Sequence, residues 1–349
     1  MVLKRTKSTE VLMGDRAIEG AGSDRGLMRA AVFSRYGSAD GLELKDVEIP
    51  EPGPGEVLVR VRASSINDWD AGRLAGRPYL TRLFTGLLRP RNRTLGCDVA
   101  GTVERVGENV GRFRPGDAVY GDIHAAGFGA FAEYVCVDQN ALEMKPASLS
   151  FEEAAAVPHV ATLAWQGLAS MGAVRPGQSL LINGAGGGVG PIAMQLGKLR
   201  GLEVTGVDRA DKLPMLRELG FDHALDYQRH DFAAGASRYD LILDVKTNRS
   251  PFRYARALKP DGVYVTVGGA SLRLLQVFLC GPLIKMLSGK TTEVLVLRAN
   301  VGLPEMGPLL ERGELRPVVD GPYSLEDVAT AMGTFERAEQ KGRMVIAIE

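Results

Sequence analysis

The sequence predicts an α/β protein made of two units, a partly open β-barrel and a doubly wound parallel sheet. Three observations carry this. Residues 28–150 read as short strands separated by Gly and Pro; after Ser150 strands and helices alternate; and the first strand-to-helix turn of that second half is rich in glycine. At 349 residues the chain exceeds one ordinary domain and suits two. The expected bounds are 28–150 for the barrel, 151–298 for the parallel-sheet unit and 299–349 for a return to the barrel, with 1–27 a disordered extension.

Each element has a local reason. Residues 1–27 are polar, Gly-containing and without sustained period, and Met28 then opens a clean strand pattern, Met28–Phe33. Lys4, Arg5 and Lys7 are not followed by an apolar core, so this is no secretory signal. Further strands are Glu56–Arg62, Val99–Val106 and Phe131–Val137, with turns at Pro50–Gly55 and Arg114–Asp117. Ser150 and Glu153 form a capping box that starts a helix at Phe151. Strands are then expected at Ser179–Asn183, Glu203–Asp208, Ala224–Tyr227, Asp240–Val245, Val263–Val267 and Glu293–Leu297, and helices at Pro191–Arg200 and Lys212–Leu219. Ser271–Ser288 is strongly apolar, but Arg273, Gln276, Pro282 and Lys285 interrupt it. It is expected to be a buried or lid helix near a ligand site, not a membrane span. A helix over Ser324–Glu339 and a strand over Arg343–Ile348 close the chain.

Composition excludes some classes. Lys plus Arg and Asp plus Glu both number 42, so no basic excess points to nucleic acid and no acidic tail to a charged partner. Cys97, Cys136 and Cys280 form no disulfide framework, and a reducing cytoplasm is the expected location.

The strongest motif is the run from Leu180 to Gln195. An apolar strand ends at Asn183, the turn Gly184-Ala185-Gly186-Gly187-Gly188 follows, and a helix begins near Val189 and Gly190. As a dinucleotide fingerprint it reads Ala185, Gly187, Gly190, with alanine replacing the first glycine. Its glycines let the backbone approach a pyrophosphate, and the helix start supplies free N–H groups. Asp208 ends the next strand, where a carboxylate accepts from ribose hydroxyls and favours NAD. Arg209 and Lys212 follow and suit the 2′-phosphate of NADP. The preference between NAD(H) and NADP(H) stays open at this point.

With these segments, Gly53–Val61, Gly96–Gly107, Phe113–Val119 and Gly129–Tyr134 added, the chain resembles the medium-chain dehydrogenase/reductase superfamily. The likeness is to its zinc-free, quinone-oxidoreductase-like branch and runs from Met28 to Glu349. It implies a GroES-like barrel, a Rossmann domain and a substrate cleft between them. It also implies hydride transfer from NAD(P)H to a small enone, quinone or carbonyl. No four-cysteine cluster is present, so no structural zinc is expected. The positions of the catalytic zinc ligands fall on Asn67, Cys97 and His159. Asn67 is typical of the zinc-free branch. Cys97 and His159, with Asp98 or Asp70, leave a non-standard metal site as the alternative.

His159 is the favoured proton donor, since imidazole titrates near neutral pH. By the same resemblance Tyr36 and Tyr79 are cleft candidates, Thr162 is placed near the nicotinamide, and Gly268 and Gly269 give it room. Lys246 and Thr247 are either new contacts or ordinary surface. Two other readings are a metal-using alcohol dehydrogenase with non-standard ligands and a non-catalytic dinucleotide-binding scaffold. The expected partners are a small-molecule substrate and a second subunit across an apolar edge at Thr292–Leu297, with neither nucleic acid nor membrane.

Overall fold

The computed structural model describes residues 26–91, 93–234 and 237–349. Most of the N-terminal extension, residues 1–25, lies outside the described residues.

The barrel is built on Glu56–Ser65, a ten-residue strand that pairs antiparallel with Asp98–Val106 and Tyr134–Asp138. Val57, Val59 and Val61 alternate inward, as a half-buried strand requires, and meet Val99, Val103 and Val119 in one core. Ala118–Asp122 and Glu143–Met144 extend that sheet on one side. On the other side the chain's end closes it: Arg343–Ala347 pairs antiparallel with Glu56–Ser65, and Val319–Ser324 lies parallel beyond it. Leu27–Phe33 and Leu42–Glu48 form a separate antiparallel pair.

The second unit has six parallel strands: β1 (Ser179–Asn183), β2 (Glu203–Asp208), β3 (His223–Asp226), β4 (Tyr239–Asp244), β5 (Leu258–Thr266) and β6 (Thr291–Val294). Their order is 3-2-1-4-5-6. The order reverses between β1 and β4, and a crevice opens there at the carboxyl ends of the strands. Leu180, Ile182, Val204 and Leu243 of these strands pack with α1 (Pro158–Ser170) and α2 (Val189–Leu199) in the largest core.

Two expectations are corrected here. Val319–Ser324 is a strand and the last helix spans only Val328–Glu336. Gly321-Pro322 reads locally as a turn, but the ladder to Arg343–Ala347 absorbs it as a register shift between Asp320 and Tyr323. The second concerns α3 (Ser271–Ser288), which is not buried: only Val277, Gly281 and Ile284 face inward. At Gly281 a Cβ would meet the Thr292 carbonyl at 2.7 Å, so the helix rests on β6 through its smallest residue. Its larger apolar side chains point outward. The helix nevertheless starts at the crevice, whose wall includes Ala270 and Arg273.

Candidate functional site

A cleft of about 570 Å³ lies between the two units, within the usual range for small-molecule sites. From the parallel sheet it is walled by the turn after β1 (Gly184, Gly187, Gly188, Val189), by Asp208, Arg209 and Lys212 after β2, and by Gly268 and Gly269 after β5. From the barrel come Asn67 and Arg343, and from α1 comes His159.

The glycine turn is shaped by close approach. Gly184 has φ +87°, and a Cβ there would press on Lys246 Cγ at 3.0 Å. At Gly190 a Cβ would sit 2.1 Å from the Ala185 carbonyl, so only glycine lets α2 begin against the turn. Ala185, Gly186 and Gly190 therefore shape the turn from behind and do not line the cleft. Gly186 donates its N–H to Asp208 Oδ2 at 2.7 Å, and Arg209 N–H reaches Oδ1 at 2.9 Å. Both Asp208 oxygens thus already hold backbone donors. Arg209 is engaged by Asp211 through two hydrogen bonds, and Lys212 packs over Gly186. Burial lowers the Lys212 pKa against the opposing pull of Asp208. On the far wall Gly269, φ +131°, approaches Thr247 so closely that a Cβ would meet its Cβ at 2.6 Å. The Gly268 carbonyl accepts from the Thr247 and Thr266 hydroxyls.

His159 is placed by an arrangement that spans both units. No side chain at the N-cap Val157 bonds the start of α1. Asp98, on a barrel strand, does so from outside: its Oδ1 accepts the His159 N–H at 3.0 Å. The ring's Nδ1 lies 2.7 Å from Asp122 Oδ2, and His124 Nδ1 lies 2.7 Å from Asp122 Oδ1. An ionised carboxylate only accepts, so both imidazoles donate Nδ1–H, and proton exchange with the cleft falls to Nε2 of His159. Burial alone would raise the Asp122 pKa, but the hydrogen bonds and charges of two imidazoles hold it well below the usual range. His124 shifts the other way, upward: the Asp122 contact outweighs the lowering by burial. Trp69 stacks on His124 with ring centroids 5.2 Å apart.

Asn67 holds the neighbouring layer. Its Nδ2 donates to Asp98 Oδ2 at 2.9 Å and to Cys97 Sγ at 2.6 Å. Asp98 also pairs with Arg343 at 2.5 Å and accepts from Ser65 at 2.7 Å. Asp70 accepts the Asn67 and Gly96 N–H groups, and its burial lifts its pKa to about 7.

Not every candidate reaches the cleft. Thr162 is fully buried and its hydroxyl donates to the Pro158 carbonyl at 2.6 Å, turned into α1, while Val160 and Leu163 take the wall. Tyr36 lies under Arg82, 4.4 Å from the guanidinium, with its hydroxyl donating to the Gly86 carbonyl. Tyr79 is 66% exposed and also lies off the cleft. The proposed ligand set of Cys97, His159 and Asp98 or Asp70 is not assembled. Burial and the carboxylates of Asp70, Asp98 and Asp122 push the Cys97 thiol well up, and Asp98 is spent on Arg343, Ser65 and Asn67. Among the described residues the donors that do converge, within 4.8 Å, are those of Asp122, His124 and His159. There the two imidazoles are already bonded to the carboxylate.

Sequence reasoning missed Asp122, His124, Arg343 and Gln340. The motif Asp122-Ile-His124 carried a weak signal, a histidine two residues from an acid at a strand end. Arg343 and Gln340 arrive from the far end of the chain, and no local pattern marks them.

The walls fit a dinucleotide on two observations. The turn after β1 leaves glycine backbone facing the cleft at the start of α2. Gln340, also on the wall and 7% exposed, has an Oε1 without a hydrogen-bond partner among the described residues.

Comparison with known proteins agrees with this geometry. Residues 53–147 match the model described as alcohol dehydrogenase GroES-like domain, and residues 219–346 the one described as zinc-binding dehydrogenase. The chain is 32% identical to a 2-methylene-furan-3-one reductase of Solanum lycopersicum, over 91% of this chain and 79% of that protein. It is 29% identical to a chloroplastic NADPH-dependent alkenal/one oxidoreductase of Arabidopsis thaliana, with the same coverages. The structure of the quinone oxidoreductase from Coxiella burnetii superposes with a TM-score of 0.83 at 26% identity, covering 93% of this chain and 100% of that one.

Proposed function

The chain belongs to the medium-chain dehydrogenase/reductase superfamily and is an NAD(P)H-dependent oxidoreductase of the quinone- and enone-reductase kind, and from this we propose a reaction in which His159 supplies the proton. The observation that carries the reading is the hydrogen bond that joins Asp122 to His159, a residue of the cleft wall. When bound, the reduced nicotinamide supplies a hydride to the electrophilic carbon of a small enone, quinone or carbonyl. The turn from Gly184 to Gly190 would hold its pyrophosphate, and Gly268 and Gly269 would admit the nicotinamide end. Asp122 fixes the His159 tautomer and ring orientation, so that Nε2–H would be aimed at the oxygen on which charge develops. Asn67 fixes the layer behind, through Asp98 and Cys97.

We further propose a preference for NADPH. Asp208 staples the glycine turn through Oδ2 and accepts the Arg209 N–H on Oδ1, while Arg209, Lys212 and Lys246 gather positive charge at the same end of the cleft. We likewise propose a homodimer and a cytoplasmic location.

The test is oxidation of NADPH and NADH, in parallel, against a panel of quinones, enones and aldehydes. Turnover with an acceptor, faster with NADPH, is the expected result. Tight cofactor binding without turnover across the panel would remove the catalytic reading and leave a dinucleotide-binding scaffold.

A further inference from the structure

The outward face of α3 is the least expected surface on the molecule. Leu272, Leu275, Phe278, Leu279, Met286 and Leu287 are each 50–74% exposed. At 3.6 residues per turn they fall within about half the circumference, opposite Val277, Gly281 and Ile284. The solvent side of this helix is therefore more apolar than its packed side. The patch exceeds the scattered single side chains that need no explanation. By length and composition alone the helix is also apolar enough to cross a membrane.

Charge separates the candidate occupants. From Gly262 to Thr292 the sequence holds Arg273, Lys285 and Lys290 and no acid. A second stretch repeats the pattern on the barrel side. From Ala71 to Cys97 there are six arginines and no acid, and Tyr79, Leu83, Leu87 and Leu88 are 59–86% exposed among them. Both stretches leave the same cleft, one beyond Asn67 and Asp68, the other from Ala270 and Arg273. In a chain whose acids and bases balance overall, two acid-free segments that pair cations with exposed leucines are a local imbalance. A second copy docked α3 to α3 would bring the helix's cations to one another, and the helix itself carries no acid to answer them. An anionic lipid surface supplies both the apolar depth and the opposite charge.

We propose that α3 seats the enzyme on anionic bilayers, lying in the plane of the interface. Its contact with β6 through Gly281 and Thr292 keeps it from spanning without unfolding the sheet edge. The binding is independent of the reaction assigned above. If that reaction holds, an apolar acceptor dissolved in the bilayer would enter beside the helix's own first turn.

The experiment is flotation of the full chain with vesicles of phosphatidylcholine alone or with about one-third phosphatidylglycerol. Binding is expected to be at least about tenfold stronger with the anionic lipid and to fall with added salt. The double variant Phe278→Glu/Leu279→Glu, both side chains being outward, is expected to lose vesicle binding by a similar factor. Its turnover of a water-soluble acceptor without vesicles should stay unchanged, which separates lost docking from lost folding or lost catalysis. Failure of the wild-type chain to float with anionic vesicles overturns the proposal. So does sedimentation showing that the variant converts a dimer to a monomer, because a second copy would then own the face.

Discussion

At the scale of single residues, one carboxylate serving two imidazoles is the feature on which the proposed chemistry turns. His159→Gln keeps a polar group on the cleft wall but removes the transferable proton. A positioned general acid contributes about 10²–10⁴-fold. Turnover is expected to drop by about that range with little change in cofactor affinity, measured by steady-state kinetics and by quenching on cofactor binding. Asp122→Asn should cost nearly as much, since it loses both the tautomer and the charge. Because the imidazoles already occupy Asp122, chelation with EDTA is expected to leave turnover unchanged; a loss restored by one divalent ion would instead favour the metal-using reading. Asp70 makes a different prediction. Its folded pKa of about 7 exceeds the unfolded value of 3.8. The native state therefore binds the extra proton between those limits, and this contribution to stability is complete below about pH 4 and lost as pH rises through about 7. Asp70→Asn should be the less stable form at pH 4, because it gives up an acceptor. It should gain on the wild type by about 2–4 kcal/mol by pH 8, read from urea denaturation across that range.

At the scale of elements, the glycine turn and β2 act as one device. Gly190→Ala would drive a methyl group into the Ala185 carbonyl. It is expected to cost about 1–3 kcal/mol and to abolish dinucleotide binding, checked by thermal melting and by titration. Lys212→Ala is expected to weaken NADPH by about tenfold and leave NADH nearly untouched, the size of one charged hydrogen bond; equal losses for both would return Asp208 to the ribose. This device was legible in the sequence because its signals are local: strand, small residues, helix and an acid at the next strand end. β1 and β2 were read to the residue. Thr162, Tyr36 and Tyr79 were placed by resemblance, and side-chain direction decided otherwise. The Thr162 hydroxyl found a carbonyl one turn back along α1, and Tyr36 found a guanidinium and a loop carbonyl. Asp122, with its partners at 124 and 159, was only faintly legible for the opposite reason. Its meaning depends on a contact between a barrel strand and a helix of the other unit.

At the scale of the whole molecule, the chain's last strand ties the barrel to the cleft. Arg343 is buried, pairs with Asp98, and so braces the carboxylate that caps α1. Arg343→Ala would strand that carboxylate. A loss of about 3–5 kcal/mol is expected in chemical denaturation, together with lost turnover. The crossing back from sheet to barrel is pinned as firmly. Gln166 of α1 bonds the carbonyls of Arg298 and Val301, and Asn300 grips Asp122 itself, accepting its N–H at 2.8 Å and donating to its carbonyl at 2.9 Å. The strip of chain that crosses from the sheet back to the barrel is therefore fastened to the aspartate that orients both imidazoles. A swing that parts the halves is expected to drag on that aspartate and turn the His159 ring away from its target. Opening for release and disarming the acid would then be one movement, so that the proton stays withheld whenever the halves stand apart and water has entry.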